Sequence, residues 1–191
     1  MNNYQKLLTK VDQFTSSLQE KRPGSFACKK GCSHCCVDGI TLSRVEFDRI
    51  AEHLRSDATG IKERLEKQKP QPGKCKFLLE DGSCSIYSAR PVVCRLWGSP
   101  LLFKNEDGSL NRTGEFVHST GREGKTLTSC SLNFKSEPAL DELPTSDIVN
   151  VETVMLQLSA INHVYCKEHS LDPEERISIA SALSLLRFQR V

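Results

Sequence analysis

The residues of this sequence best suited to chemistry are its nine cysteines. Seven of them lie in one stretch: Cys28, Cys32, Cys35, Cys36, Cys75, Cys84 and Cys94. Thiolates that lie close together are soft ligands, and they select zinc, Cu(I) or iron–sulfur clusters. A reducing compartment disfavours disulfides, and an odd number of cysteines leaves one unpaired in any scheme made only of disulfides. The clustering therefore predicts a metal centre.

The first cysteine group has short spacers that suit a shared metal. It reads Cys28-Lys-Lys-Gly-Cys32-Ser-His-Cys35-Cys36. The two-residue gap between Cys32 and Cys35 is the usual spacing of a metal-binding knuckle, and Cys28 can reach the same metal across three residues. Cys36 cannot point in the direction of its neighbour Cys35, so we expect it to serve a second metal or a bridge. His34 is expected to be partly exposed rather than a ligand.

The second group is spread over a predicted hairpin at residues 77–87, with a type I′ turn at Asp81-Gly82. In an ideal hairpin of this kind Cys84 faces Leu79, and Cys75 lies about 13 Å away on the same side. Either the hairpin is shorter or twisted near Cys75, or the two cysteines serve different centres. Ser88 is expected to cap a short helix that carries Cys94.

Two arginines and two further cysteines complete the candidates. Arg90 and Arg95 flank the second group, and a cation beside a thiolate lowers its pKa and offsets its charge. Ordinary solvated arginines are the alternative reading. Cys130 stands alone in sequence but is counted with the metal ligands. Cys166 lies in an amphipathic helix and is expected to be a core thiol, although His163 and His169 flank it at helical spacing.

Hydrophobic periodicity predicts the elements that must position these cysteines. Helices are expected at about residues 3–20, after the Ser43–Glu46 capping box, and around residues 61–65. Two more are expected at the C-terminus, the second beginning at Asp172-Pro173. A short extended piece is expected at residues 40–42. Residues 104–126 are predicted to be loops around a possible Asp107-Gly108 hairpin, and residues 135–146 to be a linker.

These elements predict a fold of the α+β class that is mainly α-helical. One or two short β-hairpins and an irregular cysteine-rich centre would be flanked by N- and C-terminal helices. We expect a single domain over residues 1–191, with a cysteine-cluster core at 28–130 and a C-terminal helical pair at 147–191.

Charge and hydropathy exclude several classes of protein. Lys and Arg number 26 against 24 Asp and Glu, and no basic stripe is present, which disfavours nucleic-acid binding. No apolar run approaches the ~18 residues of a membrane helix. The first residues lack the apolar region of a secretory signal. We therefore expect a cytoplasmic protein without a membrane partner.

The two cysteine blocks, CKKGCSHCC and CKFLLEDGSCSIYSARPVVCRLWG, resemble the CxxCxxCC family of zinc- or iron-chelating domains, the YkgJ-type cysteine cluster proteins. The resemblance runs from Cys28 to about Cys130, and the first gap has three residues where the family name gives two. The family is similar to flagellin lysine N-methylase. By position, the resemblance implies these metal ligands: Cys28, Cys32, Cys35, Cys36, Cys75, Cys84, Cys94 and Cys130. Eight thiolates suffice for two four-coordinate metals, or for one cluster plus one metal.

Three functions remain open at this point. The first is a metal-binding protein that holds zinc or an iron–sulfur centre. The second is an iron–sulfur-dependent group-transfer enzyme that acts on a protein substrate, in the manner of lysine methylation. The third is a zinc-stabilised module that binds a protein partner. The sequence carries no P-loop, no HExxH and no GxSxG motif, and the radical S-adenosylmethionine spacing of Cys28, Cys32 and Cys35 lacks the barrel that such enzymes need.

Overall fold

A computed structural model describes residues 2–29, 31–69, 71–104, 117–122, 125–135 and 139–188. The helices of this part are α1 (Asn2–Lys21), α2 (Arg44–Ser56), α3 (Ile61–Lys67), α4 (Val92–Leu96), α5 (Val151–His169) and α6 (Ile179–Phe188). The strands are β1 (Thr41–Leu42), β2 (Leu101–Lys104), β3 (Val117–Arg122), β4 (Lys125–Cys130), β5 (Val149–Asn150) and β6 (Ile177–Ser178). The predicted class, α+β and mainly helical, is confirmed.

The chain divides into two compact units. The first unit comprises the described residues of 30–91 and 159–191, and the second unit comprises those of 2–29 and 92–158. Helix α5 begins in the second unit and ends in the first.

The first unit is built on α2, α3, α6 and a two-stranded antiparallel pairing of β1 with β6. The predicted capping box starts α2, since the Ser43 N–H and hydroxyl both donate to Glu46 Oε2, at 2.9 and 2.8 Å. Apolar side chains from these elements and from the segment between α3 and α4 form one core. Its largest members are Phe47, Phe77, Leu42, Ile50, Ile86 and Ile179.

The second unit contains α1, α4 and a four-stranded sheet in the order β3-β4-β2-β5. Strand β4 pairs antiparallel with both β3 and β2, and β5 lies parallel to β2. Its core contains Leu18, Leu127, Phe134, Leu140, Leu143 and Ile148. The buried Asp147 carboxylate accepts from Lys21 and Arg22 at 2.6 Å each, which fixes the end of α1 in this unit.

Two local predictions are wrong, in both cases because strand pairing replaces the predicted element. The predicted loop at 104–126 contains β3 and the start of β4, which pair antiparallel with each other. Strand β4 carries β-branched threonines, which suit a strand. The second C-terminal helix begins at Ile179 rather than Asp172, because Ile177 and Ser178 pair with β1. The Asp107-Gly108 hairpin lies outside the described residues.

The two turn details of the second cysteine block also differ from the prediction. Gly82 has a φ of +78°, but Asp81 does not share the left-handed conformation that a type I′ turn needs at both positions. Instead, Asp81 Oδ1 accepts from the Ser83 N–H at 2.9 Å. Ser88, the predicted cap of the helix of Cys94, lies inside a 3₁₀ turn at Tyr87–Ala89, and that helix, α4, starts four residues later at Val92. No described helix is both long and apolar enough to cross a lipid bilayer.

Candidate metal centre

Backbone hydrogen bonds in the first unit join the two cysteine blocks directly. The Cys75 N–H donates to the Cys36 carbonyl at 3.1 Å, and Val37 forms a β-bridge with Lys74. The Asp38 N–H donates to the Gly73 carbonyl at 3.4 Å. Segments that are far apart in sequence therefore run side by side, and Cys36 and Cys75 are neighbours across this pairing.

A tight turn after Cys75 brings Cys84 to the same place. The Leu78 N–H donates back to the Cys75 carbonyl at 3.0 Å, so the chain turns where an ideal hairpin would continue straight. Cys84 bridges Leu78 rather than the predicted Leu79. Of the two alternatives left open by the sequence, a hairpin shortened near Cys75 is the one found.

Glycine permits the close approach of the second block to the first. A Cβ on Gly82 would lie 2.9 Å from the Gly31 carbonyl oxygen, closer than real Cβ contacts come. Gly82 also has a left-handed φ of +78°, which side-chain-bearing residues rarely adopt. The Asp-Gly turn of the second block thus packs against the glycine of the first motif.

The thiols of Cys36, Cys75 and Cys84 influence one another electrostatically. Burial, with smaller contributions from the neighbouring Cys84 and Cys36, raises the pKa of Cys75 to about 12. Burial likewise raises the pKa of Cys84, with Cys36 adding to the effect. These three sulfurs lie within interaction range of each other, and together with Cys35 we call them the Cys36 cluster.

Cys36 is the acidic member of the Cys36 cluster. A hydrogen bond from Cys35, together with the charges of Lys74 and Arg90, lowers the pKa of Cys36 to about 7 against the opposing effect of burial. This hydrogen bond brings the two sulfurs together, so the prediction that Cys36 points away from Cys35 is wrong. The Arg90 guanidinium also lies 3.9 Å above the centre of the Tyr87 ring. Arg90 therefore acts on a thiol as predicted. No sequence signal pointed to Lys74, although it directly precedes Cys75.

Three of the other four predicted ligands belong to the second unit. Cys94 lies on α4, Cys130 ends β4 and is buried, and Cys28 is exposed. The buried amide of Asn133 donates to the Cys28 sulfur, with Nδ2 and Sγ 3.3 Å apart. Arg95 pairs with Asp12 of α1 at 2.5 Å. No sequence signal pointed to Asn133.

The remaining candidates all lie in the first unit, and they are Cys32, His34, Cys166 and His169. Cys32 and His34 are half-buried in the loop of the first motif. Cys166 is fully buried in α5 and lies 3.8 Å from Asn162 Oδ1, as expected of a core thiol. Burial raises its pKa. His169 is exposed and stacks on Tyr165, with ring centres 4.2 Å apart.

The fit of a metal to these residues rests on the chemistry of the donors. None of the nine cysteines forms a disulfide. Within the described ranges, no three or more His, Cys, Asp or Glu side chains are arranged so as to hold a metal ion. The Cys36 cluster nevertheless supplies four soft donors and two nearby cations, Lys74 and Arg90, which offset thiolate charge.

A comparison with protein families supports this chemistry. Residues 27–113 match the model of the CxxCxxCC family, described as "Putative zinc- or iron-chelating domain". The match spans a little under half of the chain and includes seven of the eight predicted ligands, all but Cys130. The match supports a relationship to this family and the binding of a metal through cysteines.

No curated protein and no solved structure matches the chain. The similarity to flagellin lysine N-methylase therefore stays an expectation of the sequence resemblance.

Proposed function

We propose that this protein binds zinc or iron through clustered cysteine thiolates, and that the Cys36 cluster is the principal site. The observation that carries the proposal is the convergence of Cys36, Cys75 and Cys84 from two separate sequence blocks onto one place in the first unit. Zinc and iron–sulfur clusters both favour such thiolate sets. Cys32 lies in the same unit and is the nearest further thiol along the chain from Cys35.

The electrostatics of the Cys36 cluster suit a ligand that neutralises negative charge. Burial and mutual repulsion hold the Cys75 and Cys84 thiols in the protonated form. A bound cation favours the thiolates over the thiols, so metal binding would release protons from these two residues. Lys74 and Arg90 offset the excess charge of four thiolates on one metal.

The proposal also covers Cys28, Cys94 and Cys130, which lie in the second unit, as further ligands. The sequence resemblance implies all eight cysteines as ligands, and the structure divides them between the two units. The group-transfer enzyme and the protein-interaction module gain no support from the family match.

Anaerobic purification tests the proposal, with elemental analysis and a visible spectrum recorded on the same sample. A brown protein with iron, sulfide and absorbance near about 400 nm identifies an iron–sulfur centre, and a colourless protein with stoichiometric zinc identifies a zinc site. A chain purified with neither metal, and unable to take up either on reconstitution, would overturn the proposed function.

Cysteine variants locate the site. Cys36→Ser and Cys75→Ser should each remove most of the metal bound by the first unit, because loss of one thiolate ligand opens the site. Cys166→Ser is the matched control, since it changes a buried thiol of the same unit that lies beside Asn162 instead. Equal metal content in all three variants would exclude the Cys36 cluster as the site.

A further inference from the structure

The side chain of Asn133 is fully buried and bonded at every position. Its Oδ1 accepts from the Ala27 N–H at 2.9 Å. Its Nδ2 donates to the Gly98 carbonyl at 2.8 Å and to Cys28 Sγ at 3.3 Å. An amide has two donor hydrogens, and both are used here. One of the two donor hydrogens of Asn133 is thus bonded to a cysteine of the first motif.

The orientation of this amide is fixed by its neighbours. If the amide were turned over, its oxygen would face the Gly98 carbonyl oxygen and its nitrogen would face the Ala27 N–H, which are both repulsive pairings. The N–H group must therefore point toward Cys28 and Gly98. The contact of Cys28 Sγ with Oδ1 is longer, at 3.8 Å, and needs a protonated thiol.

The turn that carries Asn133 ties Cys130 to the Cys28 segment. The Asn133 N–H donates to the Cys130 carbonyl at 2.9 Å, and the Phe134 N–H donates to the Ser25 carbonyl at 2.8 Å. Phe134 is buried with a left-handed φ of 52°, a conformation that costs about 1–3 kcal/mol in a non-glycine residue. The fold maintains this turn at an energetic cost.

Gly98 leaves the room that the arrangement needs. A Cβ at this position would lie 3.0 Å from Cys28 Sγ and 3.1 Å from Asn133 Nδ2. Gly98 follows α4, the helix of Cys94, and its carbonyl also accepts from the Ser129 hydroxyl at 3.1 Å. Gly98, four residues after Cys94, and Asn133, three residues after Cys130, therefore both lie against the Cys28 sulfur.

We propose that Asn133 is a positioning residue for Cys28, and that its amide N–H orients the Cys28 thiolate as a metal ligand of the second unit. This inference rests on the proposed function. An N–H donor to a ligating sulfur fixes its direction and stabilises its negative charge, which is the role of the outer shell of a metal site. Asn133 lies outside the residues matched by the family model.

The test uses the full chain and Co(II), whose thiolate charge-transfer absorbance reports sulfur ligands. Asn133→Asp keeps the size and the acceptor of the side chain but replaces the donor with an oxygen. We expect the Co(II) affinity of the second unit to fall about 10–100-fold. We also expect the charge-transfer band to move to longer wavelength, because a sulfur without its hydrogen bond is more easily oxidised.

Asn162→Asp is the matched control. Asn162 is also a buried asparagine that accepts from a backbone N–H, that of Val45 at 3.0 Å, and donates to a carbonyl, that of Pro173 at 2.9 Å. Its variant should leave the cobalt band unmoved. A merely structural role for Asn133 would make the two variants alike.

A double-mutant cycle links Asn133 to Cys28. In a Cys28→Ser background, Asn133→Asp should have no further effect on Co(II) affinity, because the sulfur it positions is gone. Gly98→Ala should reproduce the Asn133→Asp band shift by crowding the same sulfur. Gly60→Ala is its control, since Gly60 has a left-handed φ of +75° but an added Cβ meets its nearest atom at 3.6 Å.

The outcomes separate this inference from the proposed function. If the wild-type chain binds no metal, both fail together. If the wild-type chain binds metal and Asn133→Asp matches wild type in affinity and band position, only the positioning role is overturned. Additive losses in the cycle would equally exclude action through Cys28.

Discussion

Charged groups surround the cysteines of the first unit, whereas a neutral amide holds the exposed cysteine of the second. In the first unit, Lys74 and Arg90 act on a thiol whose pKa falls to about 7. In the second unit, Asn133 donates to the Cys28 sulfur, and the nearby arginine Arg95 is paired with Asp12. Charge compensation suits a site with many thiolates, and a directed hydrogen bond suits the orientation of one ligand.

Metal removal should produce the largest effect and should distinguish the two units. Binding energy at a thiolate site contributes directly to folding, so chelation should unfold the cysteine-rich part of the first unit. Hydrogen exchange followed by mass spectrometry should show lost protection in residues 31–42 and 71–91. We expect α1 to keep its protection.

Unchanged exchange and an unchanged melting curve after complete chelation would contradict a structural role for the metal. Chelated protein re-supplied with the same metal is the control for damage by the chelator.

Each unit has its own core, and truncation of the two cores should separate their effects on metal binding. Phe77→Ala should cost about 3–5 kcal/mol, because Phe77 is fully buried in the core of the first unit, against which Cys75 also packs. Leu127→Ala in the second unit should cost about 2–5 kcal/mol. Denaturant unfolding measures both losses.

Only Phe77→Ala should also reduce the metal bound at the Cys36 cluster. Equal metal loss in both variants would show that the cluster depends on both cores. The division of the cysteines between the two units would then have no functional meaning.

Alkylation of the metal-free protein should sharpen the electrostatic side of the comparison. At about pH 8 a thiol with a pKa of about 7 is mostly thiolate, while one with a pKa of about 12 is almost entirely protonated. Iodoacetamide should therefore modify Cys36 well before Cys75, although both are half-buried. Peptide mass spectrometry follows each site.

Lys74→Gln should raise the pKa of Cys36, since it removes a cation that favours the thiolate. The alkylation of Cys36 would then slow at the same pH. Arg95→Gln is the control in the second unit and should leave the Cys36 rate unchanged. Faster labelling of Cys75 than of Cys36 would refute the assignment of the acidic thiol.

The smallest expected effect concerns the helix that begins beside the first cysteine motif. Ser43→Ala removes half of the capping box of α2 and should cost about 1 kcal/mol of unfolding free energy. The control is Thr9→Ala in α1, which removes a hydroxyl that donates to a backbone carbonyl. Because this position is exposed, the cost should be near zero. Thermal denaturation of both variants compares them, and an equal shift would mean that the capping box contributes nothing.

The sequence by itself determined the local elements and the chemistry. Helices α1, α2 and α5 follow from apolar side chains at helical spacing, and the start of α2 follows from Ser43 and Glu46. The thiol-rich motifs predict metal ligation without any geometry, because donor softness is a property of the residue type.

Only the tertiary structure decided which cysteines are neighbours. The pairing of Val37 with Lys74 and the turn at Cys75–Leu78 place Cys36, Cys75 and Cys84 together, and both depend on contacts between distant segments. Strand β3 and the short β6 depend on pairing with other strands, so their weak local patterns predicted loop and helix instead. Asn133 became visible as a partner of Cys28 only when the fold joined two segments about 100 residues apart.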